Sequence, residues 1–317
     1  MPSVAFVINR ALLRDPPGFL RRCRVAAESR GWDPWFGQTS DAENGLVLAR
    51  RAVAAGARLV FAAGGDGTVR ACAEALAHTG IPLAIVPIGT ANLTAQALGV
   101  PAQSGRAIEA GFGGRDRRID LARLDGNCVD ETSTGGTSTG GTSTGGTSTG
   151  GTCFTAMAGI GLDAAVVGAA RPHVKRRLGW VAYAVSGVTQ LSLPPCEFTV
   201  RLDDEEPLRR QARCVVVGNT GLLPGGFALL PGARLDDGLL NVGILAPSGV
   251  LGWVRVAGRI LTRSRHQDRQ LERFPARRIL ISAATDLPRQ IDGEMIAPGR
   301  TLNVSVCQGA LMVRQPR

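Results

Sequence analysis

Apolar positions are spaced in two ways along this chain, and the change falls near residue 121. Before it, short continuous apolar runs alternate with segments of helical period. Residues 4–8, 59–63 and 83–88 read as buried strands, and 17–30, 41–55, 69–77 and 91–98 as helices. Gly56 closes the second helix, and Gly99 with Pro101 the last. This alternation predicts an α/β domain with a parallel sheet. After residue 121 the β-like runs 197–202, 212–218, 239–245, 278–282 and 302–306 are separated by Gly, Pro and Asp turns. They predict a second, mainly antiparallel β-sandwich domain, with helices at about 172–191 and 247–265. The expected division is 1–121 and 122–294, with the return of 295–317 to the first domain left open.

Residues 132–151 repeat TSTGG four times between two strand-like runs, 119–124 and 153–158. No side chain in the repeat can build a core, so it reads as an elongated hairpin loop without chemistry.

Composition bounds the function. The 317 residues allow about two domains, and 44% hydrophobic residues suffice for a folded core. Net charge is +10, and two stretches account for it: +4 over 171–177 and +6 over 255–278. The rest is balanced, so a nucleic-acid coat is not expected. Seven scattered cysteines without CxxC spacing, and three histidines, argue against a metal cage and for reduced, mostly buried thiols in a cytoplasmic protein. The start MPSVAFVINR reads as a strand rather than a signal peptide, and no run is apolar and long enough to span a bilayer.

The chemistry begins at Gly64-Gly65-Asp66-Gly67-Thr68, between a buried strand and a helix. Glycines let backbone N–H groups approach an anion, and the helix N-terminus adds about half a positive charge. Thr68 can cap the helix or meet a phosphate oxygen. Asp66 is unfavourable beside an anion unless a cation bridges the two, so it points to Mg²⁺ or a ribose. A second turn, Pro87-Ile88-Gly89-Thr90-Ala91-Asn92, again joins strand to helix. Both turns would lie on the ligand-binding edge of a parallel sheet. Neither a P-loop nor a GxGxxG motif is present.

In the second domain, Gly159-Ile160-Gly161-Leu162-Asp163-Ala164 reads as a strand entering a helix. Ile291-Asp292-Gly293-Glu294 places two carboxylates two residues apart, on one side of a strand if the strand continues. Asp-Gly pairs are most often turns. Facing a phosphate site, though, a carboxylate could serve as the base that phosphoryl transfer to an alcohol needs.

GGDGT at 64–68, PIGTANLTAQALGVP at 87–101, GIGLDA at 159–164, the stretch 218–242 and DGE at 292–294 resemble the diacylglycerol kinase catalytic-domain family. The similarity is greatest to bacterial soluble lipid kinases of the diacylglycerol/sphingosine type, and spans nearly all the chain outside the TSTGG array. It implies an ATP-binding α/β domain, a β-rich lipid-substrate domain, and a cleft between them. ATP contacts would fall on Gly64, Gly65, Asp66, Gly67, Thr68, Val69 and Arg70, on Gly89, Thr90 and Asn92, and on Thr39 or Ser40. Asn9 stands at the family's first-strand asparagine, although the usual N-P-x-S/A-G is NRALL here. Glu294 is the favoured proton acceptor, with Asp292 as alternative or partner and Asp66 near a catalytic Mg²⁺. A structural Mg²⁺ would take the carbonyls of Arg234 and Leu239 and the carboxylate of Asp237.

The resemblance implies transfer of the ATP γ-phosphate, with Mg²⁺, to a lipid hydroxyl at the inner membrane surface, with diacylglycerol to phosphatidate as the favoured case. Arg255, Arg259 and Arg263 would form one helical stripe facing anionic lipid, as would the 171–177 cluster. A homodimer is left open. The alternatives are an NAD kinase-like or sphingosine-type kinase, and a catalytically silent nucleotide-binding membrane adaptor.

Overall fold

The computed structural model describes residues 1–40, 43–126, 151–161, 194–264, 266 and 268–317. The expected helix at 172–191, the basic cluster at 171–177 and all but Gly151 of the TSTGG array lie outside these residues.

The first domain is built on four strands: β1 (Ser3–Ile8), β2 (Asp33–Gln38), β3 (Leu59–Gly64) and β4 (Leu83–Pro87), parallel in the order β2-β1-β3-β4. Their side chains alternate between two cores. Phe6 and Phe61 stack at 4.7 Å on one face, under α1 (Pro16–Glu28) and α5 (Ser104–Gly113). Val7 and Val60 point to the other, under α2 (Gly45–Ala54) and α3 (Asp66–Leu76). A short helix, α4 (Leu93–Ala97), follows β4. The strand β2 and helix α5 are elements the sequence reading did not place. Helix α2 starts at residue 45 rather than 41, because the Asn44 side chain caps it by accepting from the Val47 N–H at 3.1 Å.

The second domain is mainly antiparallel. Its strands are β5 (Arg115–Leu124), β6 (Cys153–Phe154), β7 (Met157–Gly161), β8 (Cys196–Leu202), β9 (Leu208–Ala212), β10 (Cys214–Gly218), the small pair β11 (Leu222–Leu223) and β12 (Phe227–Ala228), β13 (Leu240–Leu245), β14 (Leu271–Ala276), β15 (Arg278–Ile291) and β16 (Glu294–Gln315). Val215, Val242 and Ile281 share one apolar core with Phe154 and Phe198. On the opposite face of β10 and β13, Val216 and Leu245 form another core with Val256 from helix α6 (Gly249–Leu261), which Trp253 and Ile260 also touch. Strands β5 and β6 pair antiparallel, flanking the TSTGG array as a hairpin would.

Strand β16 joins the halves. It pairs with β15 along its first part, and further on with β5 and, through Val313 and Leu83, with β4. Leu311 and Val313 are buried in the first domain's core.

Gly159–Gly161 continue β7, and the helix expected to follow them lies outside the described residues. Two expectations change. Arg263 lies beyond the end of α6 with φ +51°, and Arg259 forms two hydrogen bonds of 2.6 Å with Asp268, so the three arginines make no free stripe. Cys23, Cys72, Cys153, Cys196 and Cys214 are free thiols, whereas Cys307 is disulfide-bonded, against the expectation that the cysteines are reduced.

Candidate active site

The parallel register brings four strand ends to one edge. Ile8 pairs with Ala63 and Gln38, and Gly64 with Pro87. Backbone bonds continue the order past the strands: Asn9 N–H to the Ala63 carbonyl at 2.8 Å, Thr39 N–H to Ile8 at 2.9 Å, and Ile88 N–H to Gly64 at 3.0 Å. The loops leaving this edge enclose a cleft of about 560 Å³. Asn9, Thr39, Ser40, Gly65, Gly67, Thr68, Arg70, Gly89, Thr90 and Glu294 all line it. The first nine were read from the first domain's sequence; Glu294 arrives from the β15–β16 hairpin.

Tight backbone approach explains the glycines. A Cβ on Gly89 would come within 2.4 Å of the Gly65 Cα, so the two phosphate-type turns touch directly. The Asn92 side chain braces the second turn, accepting from the Gly89 N–H at 3.1 Å and donating to its carbonyl at 2.8 Å.

Asp292 and Glu294 do not form a pair on one strand face. Asp292 and Gly293 are the two-residue turn between β15 and β16, with φ of +47° and +79°. That turn reverses the chain and sends the two carboxylates apart. The Asp292 carboxylate turns inward and is buried. It accepts from the N–H groups of Thr155, Ala156 and Met157 at 3.0, 2.9 and 2.9 Å, and from the Thr155 hydroxyl at 3.2 Å. Burial pushes its carboxyl up, and the three N–H donors oppose that. Glu294 turns outward, pairs with the Arg70 guanidinium and stands where a Gly67 Cβ would be. Arg70 also donates to the Ile291 carbonyl at 3.3 Å.

Asp66 does not line the cleft. Its carboxylate faces the N-terminus of α4, where the Thr94 N–H lies 3.4 Å from Oδ1. Burial, and then the nearby Asp292 carboxylate, push its carboxyl up to about 6, against the backbone donors of Thr94, Leu93 and Asn92. The Thr94 hydroxyl meets the Thr155 hydroxyl at 2.8 Å, and Thr155 reaches Asp292, so Asp66, Thr94, Thr155 and Asp292 form one buried polar core between the domains. Gly64 and Val69 are buried behind the turn.

Arg234, Asp237 and Leu239 lie together in a loop away from the cleft. The Asp237 Oδ1 accepts from the Leu239 N–H at 3.0 Å. Sequence reasoning missed Asp120, which anchors this loop. Its carboxylate accepts from Gly238 N–H and Gly309 N–H, both at 2.7 Å, and burial pushes its carboxyl up, with Asp237 and Asp236 adding to that. Among the described residues no three His, Cys, Asp or Glu side chains group closely enough to hold a metal by themselves. Also missed were Asn44, Gly45 and Glu74 on the cleft wall, and Thr94 and Thr155. Asn44-Gly45 carried a helix-cap signal; the others had no local one.

Residues 4–124 match the diacylglycerol kinase catalytic domain, and 156–315 match the YegS C-terminal NAD kinase beta sandwich-like domain. A probable lipid kinase YegS-like protein of Pseudomonas fluorescens is 30% identical over 299 residues, covering 92% of this chain and 90% of that one. One from Pseudomonas aeruginosa is 32% identical over 272 residues, covering 85% and 80%. The crystal structure of a diacylglycerol kinase from Bacillus anthracis superposes with a TM-score of 0.72 at 21% identity, covering 99% of this chain and 96% of that one. An Archaeoglobus fulgidus NAD kinase in complex with ATP superposes at 0.51 and 10% identity, covering 100% and 94%. These two likenesses concern the fold.

Proposed function

Because the chain belongs to the diacylglycerol kinase catalytic-domain family and is a YegS-like lipid kinase, we propose that it transfers the γ-phosphate of ATP to the primary hydroxyl of diacylglycerol, giving phosphatidate. One observation carries this reading: the Glu294 carboxylate stands against Gly67 of the Gly-rich turn although 227 residues separate them, in the cleft that the two phosphate-type turns enclose.

In this reading the N–H groups of the two turns and the start of α3 hold phosphate oxygens. Arg70 exchanges part of its ion pair with Glu294 for the charge that develops on the transferred group. Glu294, freed on its solvent side, takes the proton of the attacking hydroxyl. Asp292 acts from behind by fixing the backbone at 155–157, and Asp66 by fixing the start of α4. Both are positioning residues, and Asp292 is the weaker candidate for base because four donors already occupy its carboxylate.

Mg²⁺ suits the donors present. Glu74 and the Ser40 hydroxyl offer hard oxygens in the cleft, leaving Glu294 as the base. The Asp237 carboxylate and the Arg234 and Leu239 carbonyls would hold a second ion, near the Asp120 carboxylate that anchors the loop. Mg²⁺ supplies charge neutralisation across the phosphates and, at the second place, loop order.

No helix among the described residues is long and apolar enough to cross a membrane. The enzyme is proposed to act from the membrane surface. Transfer from radiolabelled ATP to diacylglycerol, sphingosine, ceramide, undecaprenol and NAD tests the assignment. Diacylglycerol should carry most label, and Glu294→Gln should lower its rate by about 10² or more while nucleotide binding persists. Label on no lipid, or full activity in the variant, overturns the reading.

A further inference from the structure

A second cavity of about 650 Å³, lined in part by Ala97 of α4, shares no lining residue with the cleft. Arg117 of β5, Arg234 and Arg263 line it, and among the described residues no acidic one does. The remaining wall is mostly apolar, including Leu222, Leu230 and Leu235. Three arginines from separate parts of the chain meet at its wall, none of them in the cleft.

Their charge is only partly answered. Asp236, behind the cavity, accepts from Arg117 at 2.7 Å and lies 3.5 Å from Arg234. These contacts hold its carboxyl below the usual range, so it stays ionised. One carboxylate therefore serves two arginines. Arg263 is exposed and has no side-chain partner among the described residues. Thr220, 2% exposed, also lines the cavity, and its hydroxyl has no partner. An arginine without a side-chain partner, two arginines sharing one carboxylate and an unpaired hydroxyl together suit an anion.

We propose that this cavity binds a phosphate monoester, with Arg263 and Arg234 on the phosphate and the apolar wall beside whatever the phosphate is attached to. Guanidinium forks suit the oxygens of a dianionic phosphate, and three arginines against one carboxylate leave two positive charges for it. A lipid phosphate fits both walls, and would be the product of the reaction proposed above. Free phosphate would use the arginines alone. The site is separate from the nucleotide cleft, and its occupancy does not depend on the transfer chemistry.

Calorimetric titration of the full chain with inorganic phosphate, glycerol 3-phosphate and dihexanoyl phosphatidate, with a non-hydrolysable ATP analogue saturating the cleft, tests this. Arg263→Ala should weaken phosphate-monoester binding about tenfold, and Arg263→Lys should recover part of the loss. Leu222→Glu, which puts a carboxylate in the cavity, should weaken it further. Tighter binding of dihexanoyl phosphatidate than of the other two assigns the site to a lipid phosphate; equal binding assigns it to free phosphate. Absence of binding by all three, loss of binding on saturation with the ATP analogue, or binding untouched by both substitutions overturns the proposal. The titration reads no turnover, so failure of the kinase assignment would leave this result standing.

Discussion

Asp66 is 8% exposed and lies beside a second buried carboxylate, Asp292, and both effects make its charged form unfavourable. Its carboxyl rises from 3.8 to about 6. Between those values the native state holds a proton that the unfolded chain has lost, so this residue's contribution to stability falls as pH rises through the window. Above it the cost levels off at roughly 3 kcal/mol. Asp66→Asn should therefore gain stability over the parent as pH rises from about 4 to about 7, with no gain at the acid end. Thermal unfolding across that range measures it, and a pH-independent difference would refute the account. In the sequence, Asp66 looked like a residue for a phosphate-bound cation. Its actual partner is the N-terminus of α4, which begins 27 residues later. Glu294 followed the opposite course: an ambiguous member of an Asp-Gly-Glu run acquired a defined partner in Arg70.

At the scale of elements, helices with a single buried face were legible by their period, and strands buried on both faces as continuous apolar runs. Helix α6 has two apolar faces, and periodicity could not separate them. Trp253, Val256 and Ile260 turn toward the core, whereas Leu251, Val254 and Leu261 are 72%, 60% and 64% exposed on the other side. Arg255 is the charged residue on that outer face, and α6 carries no acid. The outer face of α6 is thus apolar with a basic border, in place of the arginine stripe that the spacing suggested, and we propose this face as the one that meets lipid. Replacing Leu251 and Leu261 together by Ser should change stability by no more than about 1 kcal/mol, since neither is buried. Turnover of diacylglycerol in anionic vesicles should fall several-fold, with ATP affinity unchanged. Equal loss of ATP affinity would place the helix in the nucleotide site instead. The DGE motif shows the same limit: its alternation suggested a continuing strand, but positive φ at Asp292 and Gly293 makes it a turn.

Across the whole molecule, β16 is the element that holds the domains in register, pairing with β15, β5 and β4 in turn. By contrast, the TSTGG array lies in sequence between β5 and β6, whose facing ends are already closed by the Leu124 N–H bond to the Thr152 carbonyl at 2.9 Å. Closure entropy grows only as the logarithm of loop length, so deleting three of the four repeats should shift stability by about 1 kcal/mol or less. Denaturant unfolding would show it, and a large loss would mean that the array makes contacts. The two domain textures, the Gly-rich turns at the ends of β3 and β4, and the family were legible in the chain, because each is written in adjacent residues or in their period. That Glu294 meets Gly67, that Asp66 and Asp292 share a buried core through Thr94 and Thr155, and that Arg117, Arg234 and Arg263 line one cavity comes from the folded arrangement. Those relations depend on how β16 folds one domain against the other, and contacts between residues hundreds of positions apart leave no periodic trace in a single chain.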